Sequence, residues 1–227
     1  MLTAQTKLVG LIGNPVERSL SPTMQNAAFA ARGLDWAYLP LLVEGDRVED
    51  AVRGLVALGF AGANVTAPHK AAAAAASDTD LDSVNVLVVR MGRVQGLSTD
   101  TAILDGLPVE RPVILGSGGS AAAFRAALPD ARVFSRSGDW PPDVADADLV
   151  VHATSEREEA LCALAPGQTL IDLPYPETAT GRAAREAGAT VVGGLEVLVA
   201  QGAASFEIWT GMPAPVDVMR AAVGLST

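Results

Sequence analysis

The chain is poor in cysteine, histidine and lysine, and each scarcity removes a class of chemistry. Cys162 is the single cysteine among 227 residues, so no intramolecular disulfide framework and no cysteine-rich zinc site can form. His69 and His152 are the only histidines. A histidine-rich metal site is therefore not expected, and no metal is assigned. Basic residues number 16 against 26 acidic ones, a formal charge of −10. A nucleic-acid partner would call for a basic surface that this balance does not supply. No apolar run reaches the ~18 residues that a membrane span needs. The apolar stretch at residues 8–12 is short, has no basic start and leads into Asn14-Pro15. It reads as a strand rather than a signal peptide, and the expected location is cytoplasmic.

What is present is core material. Hydrophobic residues make up 49% of the chain and charged residues 19%, a balance that argues for packed structure and against disorder. The length allows one large domain or two small ones, at roughly 100–150 residues each.

The pattern alternates strand and helix. Strands are expected at 8–13, 37–43 and 62–66, with helices at 21–34 and 46–58 and a short alanine-rich helix at 71–76. Ser21 is the expected N-cap of the first helix, with Pro22 at its first position. Residues 84–89 and 93–97 flank Met91-Gly92 and read as a hairpin. After a break near 101–111 the rhythm restarts. Strands follow at 112–115, 132–135, 149–153, 169–173 and 190–192, with helices at 121–128 and 183–187. A long helix at 195–209 closes the series. Alternation of this kind implies parallel sheets with helices on their faces, an α/β fold.

Gly116-Ser117-Gly118-Gly119-Ser120-Ala121 follows a strand and opens a helix, the context of a dinucleotide-binding turn. Gly116 makes the turn, Gly118 lets backbone approach a pyrophosphate, and Ala121 packs helix on strand. The helix N-terminus then faces the anion. About 20 residues on, NAD sites place an acid for the ribose 2′-hydroxyl. Here Ser135-Arg136-Ser137 stands instead, a set suited to a 2′-phosphate, and NADP is the favoured cofactor. Asp139 lies close by and opposes a phosphate.

In the first half, Asn64-Val65-Thr66-Ala67-Pro68-His69-Lys70 ends a strand with two polar side chains, a proline and a lysine. Ligands gather at the carboxyl ends of parallel strands, and a lysine there can protonate an alkoxide or polarise a carbonyl. Lys7 and Lys70 are the only lysines, which gives Lys70 more weight than a solvated lysine would have. Asp100 ends another strand and is either its partner or a helix cap for the segment from Thr101. His69 reads as a packing residue beside Lys70. Cys162 sits in an alanine-rich, helical context as a structural thiol. Phe206 and Trp209 read as core. Tyr175 borders the ligand or is a partly buried aromatic with its hydroxyl satisfied.

At these residues the sequence resembles the shikimate dehydrogenase family, NADP-linked enzymes that reduce 3-dehydroshikimate to shikimate. Ser19-Leu20-Ser21-Pro22 looks like its Ser-x-Ser-Pro motif, and residues 64–70 match Asn-Val-Thr-x-Pro-x-Lys. Val84-Asn85 begins its Val-Asn-Thr segment, and Ser98-Thr99-Asp100 stands where the family has Asn-Thr-Asp. Ser135-Arg136-Ser137 resembles Asn-Arg-Thr, Ala153-Thr154 matches part of Asn-Ala-Thr, and Asp172–Tyr175 resembles Asp-x-x-Tyr. Gly194-Leu195, then Gln201, Ala203, Phe206, Trp209, Thr210 and Gly211, match the closing helix.

The resemblance implies a substrate domain over 1–100 completed by 201–227. A Rossmann-type, doubly wound NADP-binding domain would span 101–200. It implies a small-molecule substrate held by Ser19 and Ser21 at its carboxylate and by Asn64, Thr66, Asn85 and Gln201 at its ring hydroxyls, with Tyr175 nearby. It makes Lys70 and Asp100 the catalytic pair. Gly116, Gly118, Gly119, Ser135, Arg136, Ser137, Thr154 and Gly194 become cofactor contacts. A monomer or homodimer is expected.

Departures from the family pattern are Arg18 for histidine, Ser98 and His152 for asparagines, Val86 for threonine, and Ser155-Glu156-Arg157-Glu158-Glu159 where the family has Gly-Met. Pro141 and Pro142 preclude a long helix after the second cofactor-domain strand, so the adenosine end would be less enclosed. A related substrate (quinate or an amino-substituted shikimate) and a non-catalytic ligand-binding relative are the competing expectations.

Overall fold

A computed structural model describes residues 2–226. The chain divides into two units, residues 1–99 with 199–227 and residues 100–198. Each has its own five-stranded sheet.

In the first unit, β1 (Lys7–Gly13), β2 (Trp36–Leu42) and β3 (Gly62–Val65) run parallel, and the hairpin β4 (Val86–Arg90) and β5 (Arg93–Leu97) completes the sheet. The strand order is β2-β1-β3-β4-β5. Between β1 and β2 lies α1 (Ser21–Ala31), between β2 and β3 α2 (Val48–Ala57), and after β3 α3 (Lys70–Ala75). Alternation along β1 sends Ile12 to one face, where Val52 and Leu55 of α2 and Ala73 and Ala74 of α3 cover it. The other face buries Val9, Leu11, Met24 and Phe29. There Phe29 of α1 stacks on Phe206 at 5.5 Å between ring centroids. Phe206 belongs to α6 (Gly194–Thr210), and α7 (Val216–Ala222) packs on α1. Trp209 of α6 donates its indole N–H to the Leu87 carbonyl at 3.1 Å. Gly62 is required at that point, because a Cβ there would overlap Leu87 O and the Trp209 ring.

Several boundaries differ from the expectations. Helix α1 stops at Ala31, three residues early, because Gly33 turns into the left-handed region (φ +65°). Gly33 N then donates to Ala30 O and Leu34 N to Phe29 O, a Schellman stop. Ser21 is not the N-cap. Leu20 occupies that position, without a side-chain cap bond, and the Ser21 N–H instead donates to Ser19 Oγ at 3.2 Å. The segment expected to be helical from 46 opens with a 3₁₀ turn, Gly45–Arg47, before α2. Helix α7 carried no expectation.

In the second unit, β6 (Pro112–Leu115), β7 (Arg132–Phe134), β8 (Leu149–His152), β9 (Thr169–Asp172) and β10 (Thr190–Gly193) are all parallel, in the order β10-β9-β8-β6-β7. The chain leaves β6 for β7 on one side and returns to β8 on the other. That reversal is the topological switch point of a doubly wound sheet. Only α4 (Gly119–Ala127) and α5 (Ala179–Glu186) serve as crossover helices. The segments 135–148 and 153–168 contain no helix, so Cys162 is not helical. On one face of the sheet Val144, Ala147, Leu161 and Leu164 from those irregular segments pack beside Ala184 of α5. Phe124 of α4 and Val197 cover the other face.

Candidate functional site

The first unit assembles its polar residues at the carboxyl end of β3. Asn64 is buried among three partners. Its amide donates to Asn85 O and Ser205 Oγ, both at 3.0 Å, and its Oδ1 accepts from the Tyr38 hydroxyl at 2.9 Å. Asn85 is fixed as tightly. Its Oδ1 accepts from Thr99 N at 2.7 Å, and its Nδ2 donates to Thr99 Oγ1 at 3.1 Å and to Gln201 Oε1 at 3.3 Å. Ser205 donates back to Gln201 O one helical turn earlier. These bonds tie β2, β3, the start of β4, the end of β5 and α6 into one polar cluster. Asn64, Asn85 and Gln201 were expected here. Tyr38 and Ser205 were missed, because their hydroxyls carry no motif and only the fold brings them in; Thr99 stands in the Ser98-Thr99-Asp100 segment but was given no role of its own.

Thr66 and Lys70 flank this cluster. Thr66 is half-buried and its carbonyl accepts from His69 N at 3.0 Å, closing the turn that starts α3. Lys70 opens that helix and is only 8% exposed, a rare degree of enclosure for a lysine. Its carbonyl accepts from Val84 N, which holds the approach to Asn85. His69 is buried and its Nε2 donates to Val43 O at 2.7 Å. That bond commits the ring to packing. Ser19 is half-buried and Ser21 buried, at the entry to α1. Ser98 Oγ is buried and, among the described residues, has no hydrogen-bond partner. Asp100 is half-buried, and the capping position of the 3₁₀ turn Ala102–Leu104 is held by Thr101, not Asp100.

The second unit places Gly116–Gly119 after β6, at the switch point. Gly116 takes φ +125°, and a Cβ there would sit 2.7 Å from Ala153 O. This glycine is demanded by the protein itself. Gly118 is different: its φ is an ordinary −79°, and a Cβ would meet nothing within 4 Å. No protein contact calls for glycine at 118, so the free space in front of α4 is room for a ligand. A nine-residue helix begins there with no side-chain cap, leaving its first N–H groups directed at that space. These features fit a dinucleotide. Gly194, where β10 passes into α6, lets the chain approach Leu173 O and Pro174 O, each 2.5 Å from where a Cβ would stand. Tyr175 is half-buried in the segment after β9.

Ser135 and Ser137 share a 3.2 Å contact between hydroxyls on the turn after β7. Arg136 between them is exposed and paired with Glu159 at 2.9 Å and Glu156 at 3.3 Å. Its guanidinium also lies 5.9 Å from the Trp140 ring. Glu156 Oε1 accepts from the backbone N–H groups of Glu158, Glu159 and Arg157. Those bonds hold its carboxyl below the usual range.

Beneath this loop lies a buried chain. His152 Nδ1 meets Asp172 Oδ1 at 2.8 Å, and its Nε2 meets Thr154 Oγ1 at 2.7 Å. Thr154 Oγ1 accepts from Glu156 N at 3.1 Å. The polarity is consistent if Asp172 accepts from Nδ1–H and Thr154 donates to Nε2, an assignment made from the network itself. Asp172 also accepts from Thr178 N and Oγ1. The residues 152 and 172 were noted only separately in the sequence.

The doubly wound sheet with a glycine turn at its switch point places the chain in the class of Rossmann-like α/β proteins. Comparison narrows the class. Residues 11–87 match the shikimate dehydrogenase substrate binding domain, and residues 194–223 match the shikimate 5′-dehydrogenase C-terminal domain. The NADP(+) shikimate dehydrogenase of Methanopyrus kandleri is 39% identical over 97% of this chain and 96% of its own. That of Moorella thermoacetica is 36% identical over 99% and 96%. The shikimate dehydrogenase of Aquifex aeolicus superposes with a TM-score of 0.88 at 29% identity, over 99% of this chain and 100% of its own. The Thermus thermophilus enzyme, solved with NADP(H) and shikimate, has a TM-score of 0.85 at 26% identity, over 95% and 98%. The chain belongs to the shikimate dehydrogenase family. The alignment to the Methanopyrus enzyme runs over 278 positions, more than the 227 residues here, so that relative carries segments this chain lacks.

Proposed function

We propose that the protein catalyses the reversible NADP-dependent reduction of 3-dehydroshikimate to shikimate, a cytoplasmic reaction on a small molecule. The observation that carries this reading is the nearly full-length similarity to NADP(+) shikimate dehydrogenases, with Lys70 and the strand-end polar set intact. Residues 1–100 with 201–227 would serve as the substrate domain and residues 101–200 as the cofactor domain.

In this reading the hydroxyls of Ser19 and Ser21 bind the substrate carboxylate. Thr66, Asn85 and Gln201 hydrogen-bond the ring hydroxyls, as a polyol ligand requires. Asn64 has both amide protons and one acceptor site engaged within the protein. It therefore serves chiefly by holding Asn85 and Ser205 in place. Lys70 delivers a proton to the carbonyl oxygen as it becomes a hydroxyl, and takes it back in the reverse direction, with Asp100 sharing the proton traffic. Tyr175 borders the ligand. Gly116, Gly118 and Gly119 would hold the pyrophosphate at the start of α4. Ser135, Arg136 and Ser137 would hold the 2′-phosphate, and Thr154 and Gly194 would contact the nicotinamide side. When bound, NADPH would supply the hydride for the reduction and NADP⁺ would accept it in the reverse direction; the protein orients the partners and stabilises charge.

Steady-state assays with shikimate and quinate, each against NADP and NAD, test the reading. Shikimate with NADP should be turned over best. Lys70→Ala should lower kcat by about 10²- to 10⁴-fold, the usual share of a general acid–base group, with the fold and shikimate binding kept. An unchanged kcat in that variant would remove Lys70 from the chemistry. Faster turnover of quinate would move the substrate assignment to that acid.

A further inference from the structure

The arginine suited to a 2′-phosphate is already occupied. Arg136 follows β7, and Glu156 and Glu159 follow β8. In the sheet, β7 and β8 flank β6, so these ion pairs join the two neighbours of the strand that carries the glycine turn. The acidic loop thus reaches to the edge where the adenosine end of a dinucleotide would meet Arg136. The loop is held in place. Glu156 Oε1 gathers three backbone N–H groups, while its Oε2 is left to face Arg136. The buried chain from Asp172 through His152 and Thr154 ends on the Glu156 N–H.

We propose that Glu156 and Glu159 set the cofactor selectivity of this protein, weakening its preference for NADP over NAD by competing with the 2′-phosphate for Arg136. The inference rests on the reading of the second unit as the cofactor domain. A phosphate reaching Arg136 must displace two carboxylates or sit beside them, and like charges at such range repel. NAD, which carries a neutral ribose hydroxyl, meets no such repulsion. Its hydroxyl can donate to the same carboxylates, the role an acid plays at NAD sites. The competition is moderate in size. Arg136 and Glu159 are 58% and 72% exposed at the side chain, and exposed ion pairs contribute little each.

Calorimetric binding of NADP⁺ and NAD⁺ to the whole protein at low salt, where these charges are least screened, tests this without relying on turnover. Glu159→Gln should tighten NADP⁺ about threefold, and Glu156→Gln with Glu159→Gln about tenfold, with NAD⁺ unchanged or weaker, as expected for surface ion pairs. Arg136→Ala should reduce the difference between the two cofactors and remove the effect of the glutamine substitutions. The Glu159 side chain is exposed and Gln at 156 retains an acceptor for the loop, so the fold is not at stake. Binding of both cofactors with an unmoved affinity ratio, or an equal shift in both, would overturn the selectivity proposal alone. Failure of the parent protein to bind either cofactor would overturn the cofactor reading and this proposal with it.

Discussion

Cys162 is a thiol that burial keeps protonated. It is half-buried in an irregular segment beside Leu161 and Leu164, and desolvation pushes its pKa from 9.0 up to about 11. The charged form is the one disfavoured, because an apolar surrounding cannot solvate a thiolate. Alkylation by iodoacetamide at pH 8 should therefore run about tenfold slower than in the urea-unfolded chain. The thiolate fraction is lower by about two powers of ten, and the higher intrinsic nucleophilicity of a more basic thiolate returns about one. The rate should keep rising steeply between pH 10 and pH 11, and a plateau by about pH 10, where a thiol of pKa 9.0 levels off, would contradict the assignment. The sign for stability follows from the same shift. The unfolded state loses the proton first, so this contribution is complete below pH 9.0 and is lost as the pH rises toward about 11.

Elements meet at the carboxyl ends of β8 and β9. Their parallel register pairs His152 with Asp172, so both side chains leave the sheet on one side, next to each other. Asp172 then reaches Thr178, whose Oγ1 accepts from Gly181 N at 3.1 Å and caps α5. A single buried hydroxyl therefore joins a strand end to a helix start. Thr178→Ala should cost about 2 kcal/mol, the sum expected from a lost cap and a carboxylate left short of a donor. Thr178→Ser should recover most of that. Urea unfolding monitored by circular dichroism would measure both, and a loss in the serine variant as large as in alanine would assign the effect to packing of the methyl group. None of this chain was legible in the sequence, because residues 152, 172 and 178 become neighbours only through register. The glycine turn was legible, because Gly116, Gly118 and the following helix are contiguous and form one recognisable strand–turn–helix pattern. So was the placement of Lys70, just past the turn that follows β3. The hydroxyls of Tyr38 and Ser205 were not, since neither stands in a motif and only the fold brings them to Asn64. Cys162 was misread as helical because alanine neighbours favour helix, while tertiary packing against the sheet decided otherwise.

At the scale of the molecule, two separately cored sheets share one chain, and they are covered differently. In the first unit, helices lie on both faces. In the second, the crossovers at 135–148 and 153–168 have no helix, yet Val113, Leu115, Val150 and Leu170 on that face are buried. Apolar side chains set along irregular backbone, Val144, Ala147, Leu161 and Leu164, share the covering with Ala184 of α5. Gln168 steadies this layer by donating to Val144 O and Ala147 O, both at 2.7 Å. Side-chain burial does not require a helix, but backbone protection does require a regular hydrogen-bond ladder. Buried side chains and protected amides should therefore part company in this unit. Hydrogen exchange resolved to short peptides should show slow amides at 113–115, 149–152 and 169–172 and fast ones through most of 135–147 and 155–164, even where the side chains are buried. Exchange in those two crossovers as slow as in the strands would mean that they open only with the whole unit. Their irregular backbone would then be as firmly held as the sheet it covers.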